Sequence, residues 1–295
     1  MTGNPDTVVV GVDGSDSAIA AARWAGALAA RFGLSLQVVH GVPRLGRNLT
    51  EAAAVFQAAS MQYQSENADA FLKSAADAVR CEQRGLVVTT AASSDPIDDV
   101  LFEASKHARF IVLGGMDISP AAAVLLGSTT LKLTTEAICP VIVWRGDRTS
   151  PNSDAVVVGV DDTPAGRAAL ATGFVFAAQL GVALRAVHSW ALRRPPGTTV
   201  LPTLMDWDAV EALQFVALTE LVDEYHRDHR GVDVTCFLES GTAAGALLRH
   251  LEHAQLVVVG NRGRAALAAA ALGSTSLNLL HHSPIPVVVC HPDPP

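Results

Sequence analysis

Two stretches decide the fold: Thr7-Val-Val-Val-Gly-Val-Asp13 near the start of the chain and Ala155-Val-Val-Val-Gly-Val-Asp161 in its middle. They differ only at their first residue. At the offset that lays Asp13 on Asp161, Gly33 falls on Gly181 and His40 on His188. With that offset shortened by two residues, Gly114, Gly127 and Pro140 fall on Gly260, Gly273 and Pro286. Equivalences that keep their order over so long a period mark the duplication of a whole domain, since solenoid units recur every ~20–50 residues. The polar, turn-rich stretch Arg145 to Asp154 reads as the join. It divides the 295 residues into one domain over 1–147 and a second over 154–295.

Within each copy, short β-branched runs alternate with helical stretches. In the first, Thr7–Val12, Leu34–His40, Leu86–Ala91, Phe110–Gly114 and Val141–Trp144 read as strands. The helices between them begin after Ser15, near Thr50, at Asp95-Pro96 and at Gly127. The second copy repeats the series, with strands near 156–160, 183–188, 232–238, 256–260 and 286–290, and Thr163-Pro164 opening its first helix. Near-continuous Val/Ile/Leu strands separated by helices predict a parallel sheet covered on both faces. Right-handed crossovers then give an open, doubly wound sheet, whose ligands bind beyond the carboxyl ends of the strands where the strand order reverses. Asp13, Asp161, Gly114 and Gly260 all fall at such ends.

Composition narrows the function classes. Hydrophobic residues at 49% and charged residues at 17% suit a packed globular chain. A net charge of −8, a pI near 5.6 and the lack of any basic run argue against a nucleic-acid partner. Phosphate binding would therefore have to come from backbone N–H groups and helix ends. Cys81, Cys139, Cys236 and Cys290 form no C-x-x-C pair or disulfide framework. The segment Met1–Asp6 lacks a signal pattern and no apolar run reaches ~20 residues, so a cytoplasmic protein with no membrane partner is expected.

The chemistry concentrates in Val257-Val-Val-Gly260-Asn-Arg-Gly263, followed by nine residues and Gly273-Ser-Thr-Ser276. Gly260 and Gly263 permit close backbone approach, and a helix starting at Gly273 offers free N–H groups, hydroxyls and the positive end of its dipole. A lone Gly-x-x-Gly is ordinary loop punctuation; the distant Gly-Ser, the strand before it and the duplication make this one an anion site. No P-loop or Gly-x-Ser-x-Gly elbow is present, and no catalytic residue or metal site is assigned. His40 and His188 at matching strand ends read as packed or hydrogen-bonded histidines. His226 and His229 read as a solvated helix face, and His281, His282, Cys290 and His291 as structural.

Gly, two residues, Gly, nine residues, Gly-Ser/Thr resembles the nucleotide-binding signature of ATP-binding universal stress proteins. The resemblance covers nearly the whole chain: Val-Gly-Val-Asp at each first strand, Val-His at the end of each second strand, and Pro140-Val-Ile-Val and Pro286-Val-Val-Val at the last. It is similar to the tandem-domain form common in actinobacteria. It implies two Rossmann-like (adenine nucleotide alpha hydrolase-like) domains, each an open five-stranded parallel sheet with helices on both faces. The implied ligand is ATP, ADP or AMP, with magnesium as an option. Carried across, Asp161 lies by the adenine and ribose, Gly159 and Val160 line the base pocket, and Ser189 also lies by the base. Val259 and Gly260 contact the ribose side. Arg262, Gly263, Gly273, Ser274, Thr275 and Ser276 surround the phosphates.

The first copy departs from the pattern. It keeps Gly11, Val12, Asp13, Gly114, Gly127, Ser128, Thr129 and Thr130, but Asp117 stands where the second glycine belongs. A carboxylate beside phosphate repels by ~1 kcal/mol at about 4 Å in water and by several-fold more where partly buried. A weakened or idle first site follows, unless Gly115 shifts the turn or Asp117 holds magnesium. In the family the last-strand edge is the dimer contact, which implies a homodimer through those edges. The apolar last strands, Ile138–Trp144 and Ile285–Cys290, also allow the two halves to pair within one chain. Three function classes follow: a nucleotide switch in stress response or growth control acting on an unidentified regulatory protein, a slow ATPase or nucleotidyl-transfer enzyme, and a nucleotide-free interaction protein.

Overall fold

The computed structural model describes residues 6–42, 51–115, 127–190, 206–261 and 272–292, with the side chains of 51–58 left aside. The first half comprises β1 (Thr7–Gly11), α1 (Asp16–Phe32), β2 (Ser35–Val42), α2 (Glu51–Glu82), β3 (Val88–Pro96), α3 (Ile97–Ser105), β4 (Phe110–Gly114), α4 (Ser128–Glu136) and β5 (Val141–Trp144). The second comprises β6 (Ala155–Gly159), α5 (Pro164–Leu180), β7 (Leu184–Trp190), α6 (Trp207–His226), β8 (Val234–Ser240), α7 (Ala243–Arg249), β9 (Ala254–Gly260), α8 (Ser274–His282) and β10 (Val287–Cys290). Among the described residues, no helix is long and apolar enough to cross a membrane.

The strands form one sheet in the order β3-β2-β1-β4-β5-β10-β9-β6-β7-β8. Each half contributes five parallel strands, and the halves meet where β5 pairs antiparallel with β10, Ile142 opposite Val288. Pleating sends alternate residues to opposite faces. Val8, Val10, Ile142, Val156, Val158 and Val288 pack under α1, α2, α5 and α6. Val9, Val141, Val143, Val157, Val287 and Val289 pack under α3, α4, α7 and α8. On the first face Phe32, Phe110 and Phe176 meet at centroid distances of 5.1 to 5.5 Å and carry the core across the seam.

The helix ends follow their sequence signals. Ser15 caps α1 and Thr163 caps α5, each accepting a hydrogen bond from the N–H three residues on, and Pro164 follows Thr163 in the first turn. Gly33 and Gly181 close the same helices at φ of 66° and 68°, where a Cβ would be strained.

Two expectations are corrected. Asp95 does not cap α3, which starts after Pro96 with no side-chain cap. Asp95 closes a local turn instead, its N–H donating to Ser93 Oγ at 3.0 Å. The last-strand edges are not free to join two chains, because β5 and β10 each have a neighbour on both sides. The two five-stranded sheets merge into one, and a homodimer through those edges would require unpairing the seam. The join is also pinned. Gln255 on β9 donates to the Asn152 carbonyl at 2.9 Å and accepts from the Asn152 N–H at 3.0 Å, and Arg148 pairs with Asp154 at 2.7 Å.

Candidate functional site

In each half the strand order reverses beside the first strand: β1 lies between β2 and β4, and β6 between β7 and β9. The crevice at that reversal is where doubly wound sheets take ligands. Because the seam is antiparallel, the two crevices open at opposite edges of the sheet.

One wall of the second crevice is the turn after β6. The Thr163 N–H and hydroxyl both donate to Asp161 Oδ1, at 3.1 and 2.6 Å, while Thr163 Oγ1 accepts from the Gly166 N–H at 3.0 Å. The carboxylate is thus locked by the residue that caps α5. A Cβ on Gly166 would stand 1.9 Å from Asp161 Oδ1, so the turn needs glycine there. The first half repeats the device: Ser15 donates to Asp13 Oδ1 from N at 3.0 Å and from Oγ at 2.6 Å. Asp13 is exposed and Asp161 half-buried.

The facing wall is the start of α8. The Gly273 N–H donates to the Asn261 carbonyl at 2.7 Å, and Ser276 Oγ donates to the Gly260 carbonyl at 2.6 Å. These ties hold the helix start against the end of β9. No side chain caps α8, so the Ser274, Thr275 and Ser276 N–H groups have no acceptor among the described residues. Such a terminus presents oriented donors and a positive dipole end. The first half also has an uncapped helix here, α4 behind Gly127. It repeats neither tie: among the described residues, nothing links Gly127 to Gly115 or Thr130 to Gly114.

The sequence-derived residues therefore divide. Gly159, Asp161, Gly260, Gly273, Ser274 and Thr275 frame the second crevice; Gly11, Asp13, Gly114, Gly127, Ser128, Thr129 and Thr130 occupy matching positions in the first. Val12, Val160 and Val259 are 3%, 5% and 3% exposed, with their side chains in the core. Ser189 donates to the Gly241 carbonyl at 3.1 Å, at the end of β7. Arg262, Gly263 and Asp117 lie outside the described residues. The Ser276 hydroxyl, expected among the phosphates, is 1% exposed and spent on Gly260; only its N–H remains to be offered. The close approach at Gly260 is made by α5. A Cβ there would stand 2.7 Å from the Ala165 backbone, so Gly260→Ala is expected to cost about 1–3 kcal/mol of stability in a denaturant titration.

Sequence reasoning missed Asn261. It is 2% exposed, its N–H donates to the Cys290 carbonyl at 2.7 Å, and Nδ2 donates to the Thr135 carbonyl of the other half at 3.4 Å. Its place between the two glycines was the available signal. The histidines are structural: His40 and His188 Nδ1 lie 2.7 Å from the Val12 and Val160 carbonyls, and His226 stacks on Phe174. Burial pushes the Cys290 thiol up to about 12, which keeps it protonated and unreactive.

The sequence model of the universal stress protein family matches residues 5–145 and again 152–291. A universal stress protein of Mycobacterium tuberculosis is 34% identical over 292 residues, covering 96% of each chain. One of Mycolicibacterium smegmatis is 30% identical over 290 residues, covering 97% of each. The crystal structure of a universal stress protein from Archaeoglobus fulgidus superposes with a TM-score of 0.71 at 20% identity, covering 98% of this chain and 99% of that one. A duplicated fold with a reversal crevice in each half, and a family match to each half in turn, lead to one conclusion: the chain belongs to the universal stress protein family.

Proposed function

We propose that the second half binds an adenine nucleotide, ATP, ADP or AMP, with or without magnesium. Its occupancy would change the protein's affinity for a regulatory protein partner in a stress response or in growth control. The observation that carries this reading is the uncapped start of α8, tied to the end of β9 and facing the locked Asp161 turn across the crevice. Phosphate oxygens would supply the acceptors that the Ser274, Thr275 and Ser276 N–H groups lack. A net charge of −8 offers no general attraction to an anion, so oriented amides would do the binding. Asp161 suits the ribose end, because a carboxylate already held in place accepts hydroxyl hydrogens without further ordering. The first half, which shows no such ties at its helix start among the described residues and carries Asp117, would be the weaker site. Four cysteines without a disulfide fit a reducing, cytoplasmic setting.

The test is a count of adenine nucleotide released from freshly purified protein, followed by an ATP titration with magnesium. About one nucleotide per chain supports the reading, and a turnover measurement on the same sample would show whether a slow ATPase is present. No released nucleotide together with a flat titration would overturn it in favour of a nucleotide-free interaction protein.

A further inference from the structure

The end of α4, in the first half, is finished by side chains of the second half. The last carbonyls of a helix have no partner within it. The Thr134 and Thr135 hydroxyls turn back on the Thr130 and Leu131 carbonyls, at 2.7 Å each, so their own carbonyls are answered from outside. His291, directly after β10, brings Nε2 to 3.1 Å from the Thr134 carbonyl. Asn261, directly after β9, donates from Nδ2 to the Thr135 carbonyl at 3.4 Å.

Asn261 is the junction. Its N–H donates to the Cys290 carbonyl and its own carbonyl accepts from the Gly273 N–H, both at 2.7 Å. One residue, 2% exposed, thus joins β10, the start of α8 and the end of α4. Burying an amide costs free energy where its polar atoms go unpaired, and Asn261 Oδ1 is buried with no donor among the described residues. The described bond of its side chain is the one to the other half. Among the described residues the bridge has no counterpart at the end of α8. Gly115 holds the matching place, and its N–H repeats the strand tie, donating to the Trp144 carbonyl at 2.8 Å. It has no side chain to send across, and a Cβ there would stand 2.7 Å from the Trp144 carbonyl oxygen. On its own side α4 is anchored by Lys132, which pairs with Asp98 and Asp99 of α3 at 3.0 and 2.6 Å. This nine-residue helix is therefore gripped by the first half along its length and by the wall of the second crevice at its end.

We propose that the seating of α4 in the first half sets the ligand affinity of the second crevice, with Asn261 as the positioning residue between them. This rests on the reading of the second half as a nucleotide site. Phosphates need the Ser274, Thr275 and Ser276 N–H groups aligned. Gly273 is held through the Asn261 carbonyl, and Asn261 is held in turn through Thr135. At 3.4 Å that last bond is long for N–H···O, so a shift of α4 breaks it before the shorter ties and loosens the helix start. Linkage makes the effect mutual: a nucleotide in the second crevice holds α4 more firmly in place. The first half, weaker as a binding site, is the regulatory half.

The experiment is a double-variant cycle on the full chain, with ATP and magnesium as the probe and calorimetry as the readout. Lys132→Met releases α4 from α3 at a residue whose ion pairs lie within the first half. Lys132→Gln is the milder form should Lys132→Met fail to fold. Asn261→Ala cuts the bridge. Each single variant should weaken ATP binding about five- to ten-fold, and a Lys132 variant should add less than about two-fold to Asn261→Ala. Effects that multiply in the double variant, or parental affinity in the Lys132 variants, would overturn the inference and make Asn261 a local support of the α8 start. Hydrogen exchange at the Gly273 amide of ligand-free protein is the second readout. It should quicken in the Lys132 variants, and go no faster in the double variant than in Asn261→Ala. A chain that binds no ATP yet shows this exchange pattern would sink the nucleotide reading and keep the coupling. ATP binding with exchange at Gly273 unmoved by the Lys132 variants would do the reverse.

Discussion

Val288→Asp is expected to remove most of the protein's stability. Val288 is 0% exposed and sits opposite Ile142 in the antiparallel pairing that joins the halves. It belongs to the core under α1 and α5, where its described neighbours are apolar. A carboxylate there either stays ionised without a partner or takes up a proton and still lacks hydrogen bonds. Leaving a buried charge uncompensated costs ~3–5 kcal/mol, against a total stability of ~5–15 kcal/mol for a native protein. The measurement is a denaturant titration compared with Val87→Asp, at a position 64% exposed. The control should fall within about 0.5 kcal/mol of the parent. The seam variant should lose several kcal/mol or show two transitions as the halves part. Equal midpoints for the two variants would mean that the continuous sheet is not the form in solution.

That experiment bears on the part of the fold hardest to read from the chain. The repeat made both halves visible, and buried Val runs placed strands within a few residues of where they lie, because a parallel strand covered on both faces leaves a continuous apolar signature. The same signature says nothing about which apolar edge meets which. Ile138–Trp144 and Ile285–Cys290 read alike, and pairing within a chain or between chains satisfies both; β5 against β10 resolves it within the chain. Asp95 misled because Asp before Pro suits a cap as well as a turn, and Ser93 was there to close the turn.

The frame of the candidate site was legible where backbone chemistry defines it and less so where a rotamer does. Glycine at the start of α8 and Asp after β6 announced themselves by position. The Ser276 hydroxyl did not, since residue type cannot say whether it turns toward a ligand or back to the Gly260 carbonyl. At Gly260 the structure adds a reason for glycine that the sequence did not show: the Ala165 backbone of α5 packs against it. Arg145 read as the first residue of a polar linker, whereas the structure buries it directly after β5.

The largest functional effect is expected from Gly263→Asp, which gives the second loop the residue that the first carries at Asp117. Two effects act together. Asp lacks glycine's conformational freedom, and its carboxylate beside a phosphate repels by ~1 kcal/mol at 4 Å in water and by ~4 kcal/mol at the effective dielectric of a protein surface. Since ~1.4 kcal/mol is ten-fold in affinity, binding should weaken by at least about 100-fold. Bound nucleotide should then fall from about one per chain to nearly none, with the unfolding midpoint unchanged to within about 0.5 kcal/mol. ATP bound with parental affinity would show that this loop does not hold the phosphates. The reciprocal Asp117→Gly separates the two causes proposed for the weak first half. A gain of a second nucleotide per chain would make the carboxylate alone responsible. No gain would shift the cause to the helix start, where the ties of Gly273 to Asn261 and of Ser276 to Gly260 have no counterpart among the described residues. The second half would then bind because the amides at the start of α8 are held in place before the ligand arrives.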